Sequence, residues 1–551
     1  MVSKRDFPTN VLSFILLFSI GLFGYLLPAV GYFTMIPGDL GDARFNSVVL
    51  EHGFQWLTGQ AAQLWSPSFF YPFERVLGLS DNHFGSGWSY ALLRGFGLPR
   101  EMAYVGWYLF GFLLNFATCG WVLRKVNFSP LAAALGAFVF TFALPVLHQE
   151  GHAQLVYRFA IPVACFCWYR ALVLRDTVSA AQTIFWCAVQ FMCSVYLGVF
   201  LGYCLMAMLL AFLLIGFIDR SSIHKSKFID VSAANAELSP PNSDHPNAFA
   251  WLWYGAAIGG IILVFLLLRQ YKLIAAEYQL VRPIDDVRSL IPRLHSYLLA
   301  DNSGLTRWIG SWVAEFPTRP EHQLFIGLGV FVLSVLGTWV PTFFGRVFFV
   351  TLLLLISLTV MVADQSLYLW LLKIPGFDAI RAVSRIILVM LFPVAVLVAV
   401  GVDRLLQLTL KHWMMLRGLL IVVIIAGLTI ETVFYVPRQE AVQTWQDRQR
   451  GLRSAIKDQL PSDTILFVTQ RQVEPFYITE LDAVIYAQDH QLATLNGYSG
   501  STPAGYAYPD PCLPSDARLQ GYFAFRGLSE TKQKELLSRL RVVALEACFT
   551  R

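Results

Sequence analysis

The sequence predicts an all-α polytopic membrane domain of about eleven transmembrane helices. Amphipathic helices are expected in its outer loops, and a small extracytoplasmic α/β domain at its C-terminal end. Three observations carry that prediction. Only 14% of the 551 residues are charged and 56% are hydrophobic, against about 25% charged in a soluble globular chain. Apolar runs of about 17–25 residues recur along the first four fifths of the chain, each long enough for a hydrocarbon core of ~30 Å. From about Arg438 the composition turns polar.

Taken in order, the predicted spans are 10–34, 102–123, 129–147, 154–173, 180–197, 199–218, 249–268, 323–341, 346–363, 384–402 and 416–436. The fifth and sixth are nearly continuous, with their turn around Tyr196 to Leu201. Span one is too long for the apolar core of a signal peptide, and no A-x-A site follows it, so it reads as a retained anchor. Basic residues in short loops set the orientation. Lys4, Arg5, Arg124, Lys125, Arg170, Arg175, Arg220, Lys225, Lys227, Arg346, Arg404, Lys411 and Arg417 all fall on one side if the N-terminus is cytoplasmic. The C-terminus is then outside. The net charge of +5 follows from such loops and does not call for nucleic acid. The expected domains are 1–437, polytopic, with outer loops 35–100 and 270–322, and 438–551, extracytoplasmic. The long inner loop between spans six and seven is Pro/Ser/Asn-rich and reads as a flexible linker.

Within the tail, "EAVQTWQDRQRGLRSAIKDQL" reads as a helix, "TILFVTQ" and "DAVIYAQDHQLATLNGYSG" as strands, and "SETKQKELLSRLRVVALEACF" as helix then strand. No Gly-rich phosphate loop follows a strand. Six cysteines lie in apolar segments as small packing residues. Cys512 and Cys548 lie in the exported tail, where an oxidising compartment favours a disulfide between them.

The polar chemistry gathers outside. "GDLGDARFNSVVLEH" follows span one. From Ala43 its apolar residues recur with a helical period, which suggests an amphipathic helix in the membrane interface. Asp42 stands at its start, either as a helix cap or as a reactive carboxylate, and Asp39 either makes a turn or shares that role. Asp81 and His83 form a second polar pair among aromatics. "LHQEGHAQ" crowds His148, Glu150, His152 and Gln154 between spans three and four. His and Glu are metal-ligand types, but Glu150-x-His152 is neither a helical nor a hairpin ligand spacing. Arg381 and Arg385, four apart, open span ten on the side where basic residues are scarce. Two cations at a helix N-terminus fit the helix dipole poorly unless they bind an anion such as phosphate, or pair with Asp378 or an acid of the first loop.

"GDLGDARFN", "FFYPFERVLGLSDNHF", "GHAQL", "EHQLFIGLGV", "PGFDAIRAVSRI" and the tail's "LNGYSGSTPAGY" together resemble bacterial integral-membrane glycosyltransferases of the GT-C superfamily, the group related to protein O-mannosyltransferases and aminoarabinose transferases. The resemblance implies a GT-C-like fold in the bacterial inner membrane. It implies transfer of a sugar from a polyprenyl-phosphate-linked donor to an envelope lipid, glycan or protein acceptor on the extracytoplasmic side. It places Asp42 or Asp39 at the general base and Arg381 with Arg385 at the donor phosphate. Asp81, His83, Glu150, His152 and Gln154 are further substrate-site candidates. No Asp-x-Asp or Asp-Glu pair marks the first loop, so no cofactor is implied with certainty, and a divalent metal stays open. Two other readings compete: a lipid-linked sugar transporter or flippase, and a non-catalytic assembly factor. A transporter should carry ionisable residues in mid-span and an internal repeat, and few such charges and no repeat are present.

Overall fold

The computed structural model describes residues 7–218, 249–374, 380–408, 414–456, 459–469, 474–506 and 516–545. Among them, eight helices are long and apolar enough to cross a membrane: Val11–Ala29, Arg100–Lys125, Pro130–Leu147, Ala153–Leu174, Val195–Ile218, Ala250–Glu277, Val383–Leu408 and Met415–Val433. Three shorter apolar helices, Thr177–Cys193, Leu328–Thr338 and Phe343–Thr359, lie where the sequence predicts the other three spans. Leu328–Thr338 is only about 16 Å long, half of a hydrocarbon core.

The helices used below are α1 (Phe7–Gly21), α2 (Asp42–Leu57), α3 (Gly87–Gly95), α4 (Arg100–Lys125), α5 (Pro130–Phe142), α6 (Ala160–Leu174), α7 (Thr177–Cys193), α8 (Val195–Ile218), α9 (Ala250–Glu277), α10 (Leu328–Thr338), α11 (Phe343–Thr359), α12 (Ile387–Leu408) and α13 (Met414–Val433). Their starts are chemically marked. Ser129 accepts from the Ala132 N–H with Pro130 at the first turn, Asp176 accepts from Val178 and Ser179 N–H, and Thr342 accepts from Gly345 N–H, each filling an otherwise unpaired first-turn donor. α7 and α8 part at Ser194, whose extended backbone breaks the run, slightly ahead of the turn the sequence suggests. α12 is buried along nearly its whole length and forms the bundle's centre. It meets α10 backbone to backbone: a Cβ on Gly337 would come within 2.1 Å of the Leu397 carbonyl, and one on Gly401 within 2.5 Å of the Leu333 carbonyl. Without an aqueous driving force between apolar helices, such close approach supplies the contact energy.

The helix ends fall into two sets. At one end Tyr25 donates to Glu150 (2.9 Å), Asp81 accepts from the Val195 N–H (2.8 Å), and the Leu328 N–H reaches Glu431 (2.9 Å). At the other, the Ser129 N–H donates to Asp403 (3.1 Å) and the hydroxyls of Thr177 and Tyr254 meet at 2.7 Å. α7 runs between the two sets, since the Met192 carbonyl at its far end accepts from Gly85 N–H in the first loop (2.7 Å).

The C-terminal region packs on the first of these ends. It comprises α14 (Val442–Ala455), α15 (Phe476–Asp489), α16 (Ala517–Arg526) and α17 (Glu530–Ser538) around strands β3 (Ile465–Val468), β4 (Ala493–Thr494) and β5 (Leu540–Val543). The sheet order is β4-β3-β5, all parallel. A separate antiparallel pair joins β1 (Met35–Pro37) to β2 (Gln439–Ala441), tying span one's exit to the tail. The strand expected over "DAVIYAQD" is helical instead. Ala483, Val484 and Ala487 of α15 are buried there against β3 and the first loop, a case of tertiary packing overriding β-propensity.

α2 exists where the sequence places it, but it does not lie in a lipid interface. Its polar face is buried as thoroughly as its apolar one. Arg44, fully buried, pairs with Asp482 (2.5 Å), Asp482 also takes Arg448 (2.6 Å), and Gln55 and Gln488 hydrogen-bond to the Gln488 and Val48 carbonyls at 3.2 and 3.0 Å. The amphipathic pattern that suggests a membrane surface is met by a second protein surface. Cys119, Cys165, Cys167, Cys187, Cys193 and Cys204 are free thiols, all at least half-buried. Cys512 and Cys548 lie outside the described residues, as does Asp378.

Candidate active site

Gly38 turns the chain out of β1 with φ +100°; a Cβ there would also press to 3.2 Å on the Glu150 carbonyl. Asp39 follows and folds back, its carboxylate accepting from the Gly41 N–H at 2.9 Å. That is the local turn open to Asp39 in the sequence. Asp42 is not a cap: it is the first residue of α2, the position before it is Gly41, and no side chain caps the helix. Its carboxylate points elsewhere. Tyr498 of the tail donates its hydroxyl to Asp42 Oδ1 at 2.7 Å, and His152 Nε2 lies 3.3 Å from Asp42 Oδ2.

From His152 the polar contacts continue. Its Nε2 is 3.6 Å from Glu321 Oε1. Glu321 is held by both forks of Arg385, Nη2 to Oε1 at 2.9 Å and Nε to Oε2 at 3.2 Å. The Arg385 guanidinium lies 5.6 Å from the centre of the Tyr196 ring. The Tyr196 hydroxyl accepts from Arg282 Nη1 at 3.4 Å and from the Arg381 N–H at 3.3 Å. A carboxylate from the first loop and cations from the head of α12 thus meet at one mouth.

Burial and the nearby Arg385 push the His152 imidazole below its ordinary value, outweighing Glu321 and Asp42, so at neutral pH the ring is uncharged. Burial alone would raise Glu321, but Arg385 holds its carboxyl well below the usual range. Burial and the neighbouring Asp42 raise the Tyr498 phenol, which therefore stays protonated and donates.

Arg381 and Arg385 do not share a helix face as their spacing suggests. The backbone is irregular through Ala382, a 3-10 turn covers Val383–Ile386, and the α-helix starts at Ile387. Arg385 is buried, whereas Arg381 is exposed. Arg385 pairs with Glu321 of the second loop, not with the first-loop acid the sequence offers. Among the described residues no side chain pairs with the Arg381 guanidinium.

The remaining candidates have structural partners. Asp81 accepts from Ser194 and the Val195 and Asn82 N–H groups and so holds the start of α8. His83, pushed down to about 3 by burial, is neutral; its Nε2 meets Asn46 Oδ1 at 2.8 Å, and Asn46 in turn donates to the Asp42 carbonyl at 2.7 Å. His83 therefore supports the first turn of α2 without facing the mouth. Glu150 is buried and pushed up to about 8, chiefly by desolvation; it accepts from Tyr25 (2.9 Å) and the Arg438 N–H (2.7 Å) and ties the end of the first span to the residue just before β2. Glu150 and His152 therefore serve different places, one in the frame and one in the mouth. Gln154 is half-buried, and its carbonyl oxygen has no partner among the described residues.

Asp42, His152 and Glu321 are the side chains that could hold a divalent ion. Both oxygens of Glu321 already face Arg385, and no group of three His, Cys, Asp or Glu among the described residues is arranged around one point. These residues do not fit a metal as they stand.

Glu321, Tyr196, Arg282 and Tyr498 carry no signal in the sequence that marks them for this mouth. Glu321 and Tyr498 do fall inside two of the segments that carry the family resemblance, "EHQLFIGLGV" and "LNGYSGSTPAGY".

No family model matches the chain, and no curated protein matches it. Among solved structures, the Archaeoglobus fulgidus oligosaccharyltransferase in the apo form is similar over 90% of this chain at 12% identity and a TM-score of 0.47. The archaeal oligosaccharyltransferase AglB of the same organism, in complex with an inhibitory peptide and a dolichol-phosphate, is similar over 90% at 10% identity and a TM-score of 0.45. The arabinofuranosyltransferase AftD from Mycobacteria is similar over 85% at 13% identity and a TM-score of 0.37. This chain spans 65% of the length of each oligosaccharyltransferase and 30% of AftD. A likeness at this level leaves the function to the geometry of the site.

Proposed function

We propose that this protein is a membrane glycosyltransferase of GT-C type that moves a sugar from a polyprenyl-phosphate-linked donor to an envelope acceptor on the extracytoplasmic side. The observation that carries the reading is the run of contacts from Asp42 through His152 and Glu321 to Arg385, with Arg381 near enough to Glu321 to lower its carboxyl further. Transfer to a hydroxyl needs a base within hydrogen-bond reach of the proton it removes, and fixed positive charge where the phosphate leaves. Asp42 is the proposed base. Tyr498 holds one of its oxygens, and His152 Nε2 lies 3.3 Å from the other. Arg385, whose Nε and Nη2 are held by Glu321 and whose Nη1 remains, and the exposed Arg381 are the proposed phosphate contacts. A transport path through the bundle is disfavoured, because α12 carries no ionisable residue between Arg385 and Asp403.

Arg381→Ala is expected to weaken binding of a fluorescent polyprenyl-phosphate by about tenfold, the scale of one lost charge-assisted contact. Arg381→Lys should recover only part of it, since lysine keeps the charge and loses the fork. Unchanged affinity in both variants, measured in nanodiscs, would remove Arg381 from the donor site.

The proposed orientation has the N-terminus cytoplasmic and the C-terminus outside, in a bacterial inner membrane. A phosphatase fused after Arg551 should be active and a cytoplasmic fluorescent reporter at the same place dark. The reverse pattern would put the mouth on the wrong side for an extracytoplasmic acceptor.

A further inference from the structure

A concavity lies away from the Asp42 mouth, between the first loop and the C-terminal region. It is a groove of about 640 Å³. Gln60, Gln63, Gln488 and Gln491 line it together with the rings of Tyr71 and Tyr522. Its charges are of both signs, Glu74 and Glu535 against Lys532 and Arg539. Gln488 is 4% exposed, and its carbonyl oxygen has no partner among the described residues, although its amide nitrogen donates to the Val48 carbonyl. The amides open to a ligand are those of Gln60, Gln63 and Gln491, which are exposed.

We infer that this groove binds a neutral oligosaccharide, an internal stretch of the acceptor; the inference rests on the proposed glycosyl transfer. Side-chain amides offer donors and acceptors together, which is what a row of sugar hydroxyls requires, and aromatic rings cover the C–H faces between them. The balanced charge gives no field for a polyphosphate or a nucleic acid. An extended peptide would want a free strand edge, and the edge beside the groove is taken. The Thr494 N–H donates to the Ser68 carbonyl and the Tyr71 N–H to the Thr494 carbonyl, both at 2.9 Å.

The groove and the mouth share two helices. Tyr477, near the start of α15, lies against Gly41 beside Asp42. Gln488 is eleven residues further on, roughly 16 Å along the same helix. That spacing places the groove a few sugar units from the reacting hydroxyl, so it would select acceptor length without touching the bond being made.

The experiment is titration of the full-length protein in nanodiscs with labelled mannohexaose, galactohexaose, cellohexaose, hexagalacturonate and an uncharged hexapeptide. At least one neutral hexasaccharide should bind saturably. The double variant Gln60→Ala with Gln63→Ala, both exposed positions, should weaken it by at least about fivefold, as should Tyr522→Ala. The inference is overturned if no neutral hexasaccharide saturates, if the groove variants bind like the native chain, or if only the uronide or the peptide binds. Absent groove binding with Asp42-dependent transfer intact would sink the groove and leave the proposed function standing. Saturable groove binding in a chain with no transfer activity would do the reverse.

Discussion

Asp42→Asn should lower sugar transfer by about 10²–10⁴-fold, the usual weight of one proton transfer, while a polyprenyl-phosphate donor still binds. Asparagine keeps the shape and the acceptor oxygen that Tyr498 uses at 2.7 Å, so the fold of the mouth should persist. What it loses is the basic oxygen 3.3 Å from His152. Asp39→Asn is the matched control. Asp39 accepts from the Gly41 N–H at 2.9 Å, and an amide oxygen can accept the same bond, so its effect should be small. The measurement is initial rate in proteoliposomes together with donor affinity. If Asp39→Asn is the inactive variant and Asp42→Asn is mild, the base lies three residues earlier. If both variants transfer at the native rate while folded, Asp42 is only an anchor for Tyr498 and His152.

The second large effect concerns how the tail reaches that mouth. Glu480 of α15 is fully buried and pairs with the almost equally buried Arg518 at 2.6 Å. The same carboxylate accepts from the Gly497 N–H at 2.8 Å and the Asn496 amide at 3.1 Å, the two residues that precede Tyr498. Glu480→Ala leaves Arg518 buried and uncompensated, which costs about 3–5 kcal/mol. It also releases the segment that carries Tyr498. The tail should become sensitive to limited proteolysis at temperatures where the native chain resists, and Asp42-dependent transfer should fall with it. Glu480→Met combined with Arg518→Met should recover most of the stability, because a matched apolar pair removes the stranded charge, but should not restore the hold on Asn496 and Gly497. A Glu480→Ala variant with native protease resistance would contradict the first part. A double variant with native transfer would contradict the second.

The helices of this protein could be read from its sequence because a bilayer imposes a simple local rule. A segment that spans must be apolar for about twenty residues, and its backbone must bond to itself. Such runs at 10–34, 102–123 or 384–402 need no knowledge of what lies beside them. Asp42, His152, Arg381 and Arg385 were also legible as polar residues stranded at the ends of apolar runs, although their partners were not. Several assignments that tertiary structure changed depend on neighbours distant in the chain. Glu150 and His152 are two residues apart, yet one faces Tyr25 and the Arg438 N–H and the other faces Asp42 and Glu321. The amphipathic face of α2 was visible, but whether lipid or protein covers it was decided by Asp482, 438 residues from Arg44. Tyr498 reaches Asp42 across 456 residues. Sequence periodicity reports which face of an element is apolar, because that is set by bond geometry within a few residues. It carries no term for which distant polar group will arrive opposite, since that is settled only when the β1–β2 pair and the buried ion pairs seat the tail on the first loop.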